Sequence, residues 1–296
     1  MTVLLVGGSG FVGSHVASRL AARGIPVLVP TRHRERAKHL IPLPTVEVVE
    51  ADVFDETTLA ALCAGKAAVV NLVGILKGGN GQPYGAGFAR AHVELPERIG
   101  RAARAARVSR LVHVSALHAA ADAPSGYLRS KAYGEATLLT VFPEASIFRP
   151  SVIFGAGDSF LTMFAGLLKT MPVVPLAAAD ARFQPVWVGN VADAIVEAAL
   201  RSDVSGNTWS LCGPTVYTLR QLVKYVGTVT GRRRPVIGLS PALSRLQAWA
   251  LEMVGGPMTR DNLLSMKVPS VCDEGARLPF GLEPMPLAAV APTYLR

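Results

Sequence analysis

A short apolar run, Thr2-Val3-Leu4-Leu5-Val6, opens directly into Gly7-Gly8-Ser9-Gly10-Phe11-Val12-Gly13. The heptapeptide satisfies both GxGxxG (Gly8, Gly10, Gly13) and GxxGxxG (Gly7, Gly10, Gly13). Beyond it Val12, Val16 and Leu20 fall on one helical face. Strand, glycine turn and helix start, in that order, is the context in which such glycines carry meaning. They permit a tight turn and close approach of a pyrophosphate, and the free N–H groups of the helix start favour an anion. A strand–helix turn with no ligand is the alternative. The dinucleotide reading assigns Gly7, Gly8, Ser9, Gly10, Phe11 and Val12 to the cofactor.

The rest of the first half keeps the same rhythm. Apolar, strand-like runs lie at 27–29, 46–49, 67–73, 110–114 and 145–148, with helix-like segments at 11–23, 56–63, 88–106 and 127–141. Strands this uniformly apolar belong to a parallel sheet covered on both faces, and right-handed crossovers make it a doubly wound α/β fold. After about residue 150 prolines become dense and strands scarce, with helices expected at 190–201, 219–230 and 242–254 and short strands at 185–188 and 208–211. The expected organisation is a dinucleotide-binding domain over 1–150 and a smaller substrate-side region over 151–296, of which 183–201 can return to the sheet.

Composition narrows the class. Of 296 residues half are hydrophobic and 17% charged, which excludes a mainly disordered chain. Thirty Lys+Arg against 21 Asp+Glu give +9, a balance that favours anionic partners without choosing among them. Cys63, Cys212 and Cys272 are odd in number and far apart, without a CxxC; the expectation is no disulfide framework, no zinc and a reducing compartment. The six histidines show no ligand spacing, so no metal is expected. The start of the chain reads as a strand and not a signal peptide. The most membrane-like stretch, 160–179, is interrupted by Lys169, Pro172 and Pro175. A cytoplasmic protein is expected, able to sit on the inner face of the cytoplasmic membrane.

Selectivity for the dinucleotide is read after the second strand. The sequence there is Pro30-Thr31-Arg32-His33-Arg34, with no acid to bind a ribose 2′-hydroxyl. Arg32 and Arg34, beside Thr31, can pair with a 2′-phosphate, so NADP(H) is preferred and NAD(H) is the alternative. Asp52-Val53 follows the third strand, where the carboxylate can accept from adenine or cap the next helix. Asn71, Val73 and Gly74 end the fourth strand on the path of the cofactor ribose. Tyr127-Leu128-Arg129-Ser130-Lys131 is YxxxK: at i and i+4 the phenol and ammonium share a helical face, and the ammonium stabilises a phenolate. Ser115 ends the fifth strand, at the sheet edge where ligands bind, with a hydroxyl able to polarise a carbonyl. A surface helix pair is the bland reading of YxxxK.

With these residues in view the chain resembles the extended short-chain dehydrogenase/reductases. The resemblance rests on the 7–13 loop, Asp52-Val53, Ser115, the 127–131 motif and Arg149-Pro150-Ser151 with Gly155. Within them it is most similar to an atypical branch containing the NADPH-binding accessory subunit family of respiratory complex I. The matching stretches are 71–74, Ala91-His92-Val93-Glu94, 111–116 and 182–188. The resemblance implies a Rossmann fold, a cofactor contact at Pro150, nicotinamide-ribose binding by Lys131 and proton transfer by Tyr127. It also implies tightly held NADP(H), with a structural role in the complex; relatives in the wider branch are epimerase/dehydratase-like or linked to ubiquinone biosynthesis. His92 stands where active members usually carry a relay Asn, and Asn190, where many carry Asp, is expected to cap a helix. Two functions follow. One is a complex I accessory or assembly subunit, or a quinone-linked oxidoreductase-like protein. The other is a free-standing carbonyl reductase or sugar-nucleotide epimerase/dehydratase. The substrate is not legible; its specificity is expected in the C-terminal half and the 76–87 loop.

Two further patterns remain. Arg98, Arg101, Arg104 and Arg107, followed by Arg110, form a basic ridge, read as a solvated face or as a dock for an acidic partner or anionic lipid. Without interleaved aromatics or a recognisable module, no nucleic-acid binding is expected. Leu239, Ala242, Leu243, Leu246, Trp249, Ala250, Met253 and Val254 line one helical face, read as core, with an interfacial helix or quinone-side wall as the alternative.

Overall fold

β1 (Val3–Val6) is buried on every residue, as a central parallel strand between two helical layers must be. In the computed structural model, which describes residues 1–256 and 258–295, it lies amid seven strands. The others are β2 (Val27–Thr31), β3 (Val46–Glu50), β4 (Ala68–Asn71), β5 (Arg110–Val114), β6 (Ser146–Pro150) and, beyond four minor two- and three-residue strands, β11 (Thr208–Leu211). Their order is β11-β6-β5-β4-β1-β2-β3, parallel throughout. The chain runs outward from β1 to β3, then crosses back to β4 beside β1. This reversal opens a crevice at the C-terminal ends of β1 and β4.

α1 (Phe11–Ala22) and α7 (Val188–Leu200) cover one face through Val16, Ala17, Leu20, Val191, Ile195 and neighbours. The other face carries α2 (Glu56–Cys63), α4 (Leu95–Ala105) and α5 (Gly126–Val141), packed on Leu4, Val69, Leu111 and Ile147. α4 is preceded by a short helical turn, α3 (Ala86–Phe88), and a π-helical stretch, Ala89–Glu94. The segment expected as a return to the sheet supplies α7, and β11 extends the sheet beside β6.

A third core joins α6 (Phe160–Thr170) and α8 (Leu219–Val229) around Phe154, Phe164, Leu222 and Val226. β8 (Val174–Leu176) and β13 (Val236–Gly238) pair beside it. They are followed by α9 (Pro241–Met253) and α10 (Arg260–Ser265). Among the described residues no helix is long and apolar enough to cross a membrane.

Four expectations are corrected. Cys212 and Cys272 are joined in a disulfide across 60 residues, bridging the end of β11 to the chain beyond α10; only Cys63 is free. Spacing could not show this, because the fold brings distant segments together. Asp55, not Asp52, caps α2 by accepting from Thr58 N–H at 2.7 Å. Asn190 lies inside α7 and caps nothing; it donates to Glu283 O and accepts from Met285 N–H, pinning the C-terminal segment. The apolar stripe on α9 is not core: Ser244 and Ala248 face inward, while Leu246, Trp249 and Met253 are exposed.

The arginine ridge is largely self-neutralised. Arg98 reaches Glu56 and Glu94, Arg101 pairs with Glu97, and Arg104 pairs with Glu144. Arg110 turns to Ala199 O. Arg107 alone stays exposed without a carboxylate partner among the described residues, so the ridge is mostly a paired outer face.

Candidate functional site

The topology brings the predicted residues to one edge. Gly7 follows β1, Thr31 ends β2 and Arg32 follows it, Asp52 follows β3, Asn71 ends β4 with Val73 and Gly74 beyond it, Ser115 follows β5 and Pro150 ends β6. Gly7 has φ +84°, a left-handed conformation that favours glycine. A Cβ on it would stand 3.2 Å from the Leu72 and Val73 main chain, and one on Gly13 would overlap Gly7 O. Gly10 donates to Gly7 O at 3.1 Å and begins α1, whose first turn has neither a side-chain cap nor an acid. The helix start is thus free to receive a pyrophosphate.

Around this cradle the roles separate. Thr31 is buried and bonds around His33, while Arg32 and Arg34 are exposed. Glu35, the acid next in sequence, is paired with Lys38. Asp52 is exposed and accepts from Phe54 N–H at 3.0 Å, which holds the turn beside half-buried Val53. Asn71 is fully buried; its amide meets His113 Nδ1 at 3.1 Å and accepts from Val73 N–H. Its side chain therefore ties the ends of β4 and β5 and holds the turn at Val73. Pro150 is buried, and its carbonyl accepts from Leu117 N–H.

α5 positions the reactive pair. Ser125 caps it by accepting from Leu128 N–H. Asp261 of α10 accepts from Gly126 N–H at 2.6 Å and Tyr127 N–H at 3.0 Å. Lys131 is 3% exposed and donates to Val114 O at 3.1 Å, one residue before Ser115. A Cβ on Gly74 would come within 3.5 Å of its ammonium. Burial lowers the Lys131 pKa to about 8 against the opposing pull of Glu135. Burial pushes the Tyr127 phenol up to about 12, against the lowering expected from the ammonium. Ser115 Oγ is buried with no hydrogen-bond partner among the described residues. A hydroxyl left so is a costly feature unless something else meets it.

His92 is fully occupied. Its Nε2 accepts from Ile75 N–H at 3.0 Å, so Nδ1 bears the proton and donates to Ser130 Oγ at 2.9 Å. Ser130 in turn donates to Tyr127 O. Burial holds His92 neutral, down to about 2, and His113 down to about 3, with the nearby Lys131 charge adding to both. His92 bolts the loop after β4 to α5, and both of its ring nitrogens are committed.

Sequence reasoning missed Asp261, 135 positions from the helix it caps. It also missed Glu135, buried and bidentate to Arg149 of β6, with Nε–Oε1 at 2.9 Å. Glu135 lies four residues after Lys131, a spacing that could have marked it. The 76–87 loop lines a cavity of about 460 Å³ through Gly79, Asn80, Gln82 and Gly85, opposite Arg129, Arg260 and Asp261.

Comparison with known proteins agrees with this geometry. Residues 3–212 match the NAD dependent epimerase/dehydratase family. A curated relative is the mouse (Mus musculus) "NADH dehydrogenase [ubiquinone] 1 alpha subcomplex subunit 9, mitochondrial", 34% identical over 232 residues, 76% of this chain and 60% of the relative. The chain thus spans about three-fifths of that protein's length. A "Ceramide reductase" from Caulobacter vibrioides is 29% identical over 254 residues, 84% of this chain and 78% of the relative. Among solved structures, "MoeE5 in complex with UDP-glucose and NAD" superposes with a TM-score of 0.69 at 19% identity, covering 90% of this chain and 97% of that one. The fold is an NAD(P)-binding one, and the chain belongs to the NAD dependent epimerase/dehydratase family as an atypical extended short-chain dehydrogenase/reductase resembling the complex I accessory subunit.

Proposed function

We propose that this chain holds NADP(H) and uses Tyr127 to protonate a carbonyl oxygen as the carbonyl is reduced. The observation that carries this is the buried, unpartnered Ser115 hydroxyl beside the carbonyl gripped by Lys131. The dinucleotide, when bound, would supply the hydride. This chain's residues do the rest: Ser115 donates to the substrate oxygen, Lys131 holds ribose hydroxyls, and Tyr127 gives up its proton. A phenol pushed up to about 12 keeps that proton at neutral pH, which suits a donor better than a base. The 2′-phosphate falls to Arg32 and Arg34, exposed and without an acid partner among the described residues.

A second reading is an NADP(H)-holding accessory subunit of a respiratory complex. Saturated His92 favours it, since it leaves no ring nitrogen for a relay water, as does the likeness to the mouse subunit.

The test is NADPH oxidation by the purified chain against long-chain ketones, quinones and nucleotide sugars. Turnover that vanishes in Tyr127→Phe, with NADPH binding and Tm unchanged, supports the reductase. No turnover, together with co-migration with NADH:quinone oxidoreductase activity on a native gel, establishes the second reading. A chain that binds NADH as tightly as NADPH sinks the NADP assignment, and an undiminished NADPH preference in Arg32→Ala with Arg34→Ala sinks the role given to these two arginines.

A further inference from the structure

α9 is inside out. Leu243, Leu246, Trp249, Met253 and Val254 occupy an arc of roughly 140° at 100° per residue. They face away from the protein, with Trp249 49% and Val254 78% exposed. The inward side carries Ser244, Ala248, half-buried Leu251 and Gln247, which donates to Pro175 O on β8. Ile237, paired in register with the same Pro175 to which Gln247 donates, is a further exposed apolar side chain at 55%. An exposed apolar stripe of this kind on one helix face marks an interaction site.

Charge identifies the occupant. Arg245 stands at the margin of the stripe. Arg233 and Arg234 lead into β13, and Lys169 stands near the end of α6, just before β8; all four are exposed. None has a carboxylate partner among the described residues, in contrast to the paired arginines of α4. The acid on α9, Glu252, is turned to Arg260 of α10. An apolar stripe with a tryptophan, bordered by unpaired cations, is the composition of a helix lying in a lipid interface.

We propose that the outward face of α9, with Ile237, docks on an anionic lipid bilayer. Leu246, Trp249 and Met253 enter the boundary between headgroups and acyl chains. Arg233, Arg234, Arg245 and Lys169 meet lipid phosphates. The docking does not depend on whether Tyr127 turns a substrate over.

The test is flotation of the full chain, with NADPH present, on phosphatidylcholine vesicles with or without phosphatidylglycerol. Binding is expected only with phosphatidylglycerol and should weaken with salt. The Trp emission should shift blue, a shift lost in Trp249→Phe. Leu246→Glu with Met253→Glu should cut vesicle affinity by more than about tenfold, and Arg233→Glu or Arg234→Glu by at least about fivefold each. All these side chains are exposed, so Tm and NADPH binding should hold. No flotation on phosphatidylglycerol, or flotation indifferent to Leu246→Glu with Met253→Glu, overturns the proposal. So does a dimer in sedimentation velocity that those changes dissolve, which would make the face a contact between copies.

Discussion

Gly13 and Gly134 sit where two main chains meet with no room for a methyl group. A Cβ on Gly134 would overlap the His92 carbonyl oxygen, so Gly134→Ala should separate α5 from the π-helical stretch at about 1–3 kcal/mol, measurable by urea unfolding. Gly13→Ala displaces the loop at Gly7 instead, and its expected signature is NADPH binding weaker by on the order of tenfold. Histidines give a pH test. His92 and His113 stay neutral in the fold down to about 2 and 3, whereas in the unfolded chain they take protons below about 6.5. Between pH 6.5 and about 3 the unfolded state therefore binds more protons, and stability falls as pH falls. The slope is at most about 1.4 kcal/mol per pH unit for each histidine. His113→Leu should flatten the decline in unfolding midpoint between pH 7 and 5. An unchanged slope would show that other groups dominate it.

α5 and α9 show what periodicity can and cannot say. For α5 the tyrosine–lysine spacing was readable, because it depends on neighbours within one turn. Asp261 was not, because only the folded chain brings it to Gly126. Asp261→Ala should destabilise by about 1–2 kcal/mol and leave the Tyr127 main chain less fixed. Thermal melting reads the first effect, and loss of turnover out of proportion to NADPH binding would report the second. For α9 the heptad pattern revealed a two-sided helix but not which side meets protein. That choice was made by β8 and β13, three-residue strands too short to stand out in sequence. β8 offers Pro175 O to Gln247, which fixes the side carrying Ser244, Gln247 and Ala248 against it.

For the whole molecule, the first half was legible because a parallel sheet is written in local apolar runs. The second half closes by long-range ties. Beyond Asp261, Ser270 carbonyl meets Ser151 Oγ, Val271 O meets His118, and Cys272 reaches Cys212 and Gln184. The odd cysteine count concealed a pair 60 residues apart. Cys212→Ser should lower stability by about 4 kcal/mol on the chain-entropy account, and a reductant should produce the same loss in the wild-type chain and none in the variant. The Asp261 cap has one more consequence, in the order of synthesis. When β11 has left the ribosome the seven-stranded sheet and its glycine cradle have all their parts. The acceptor for the head of the tyrosine helix is still some fifty residues from being made. Chains fold from the N-terminal side as they are made, so a nascent chain gains the means to hold a dinucleotide before it gains the means to use one.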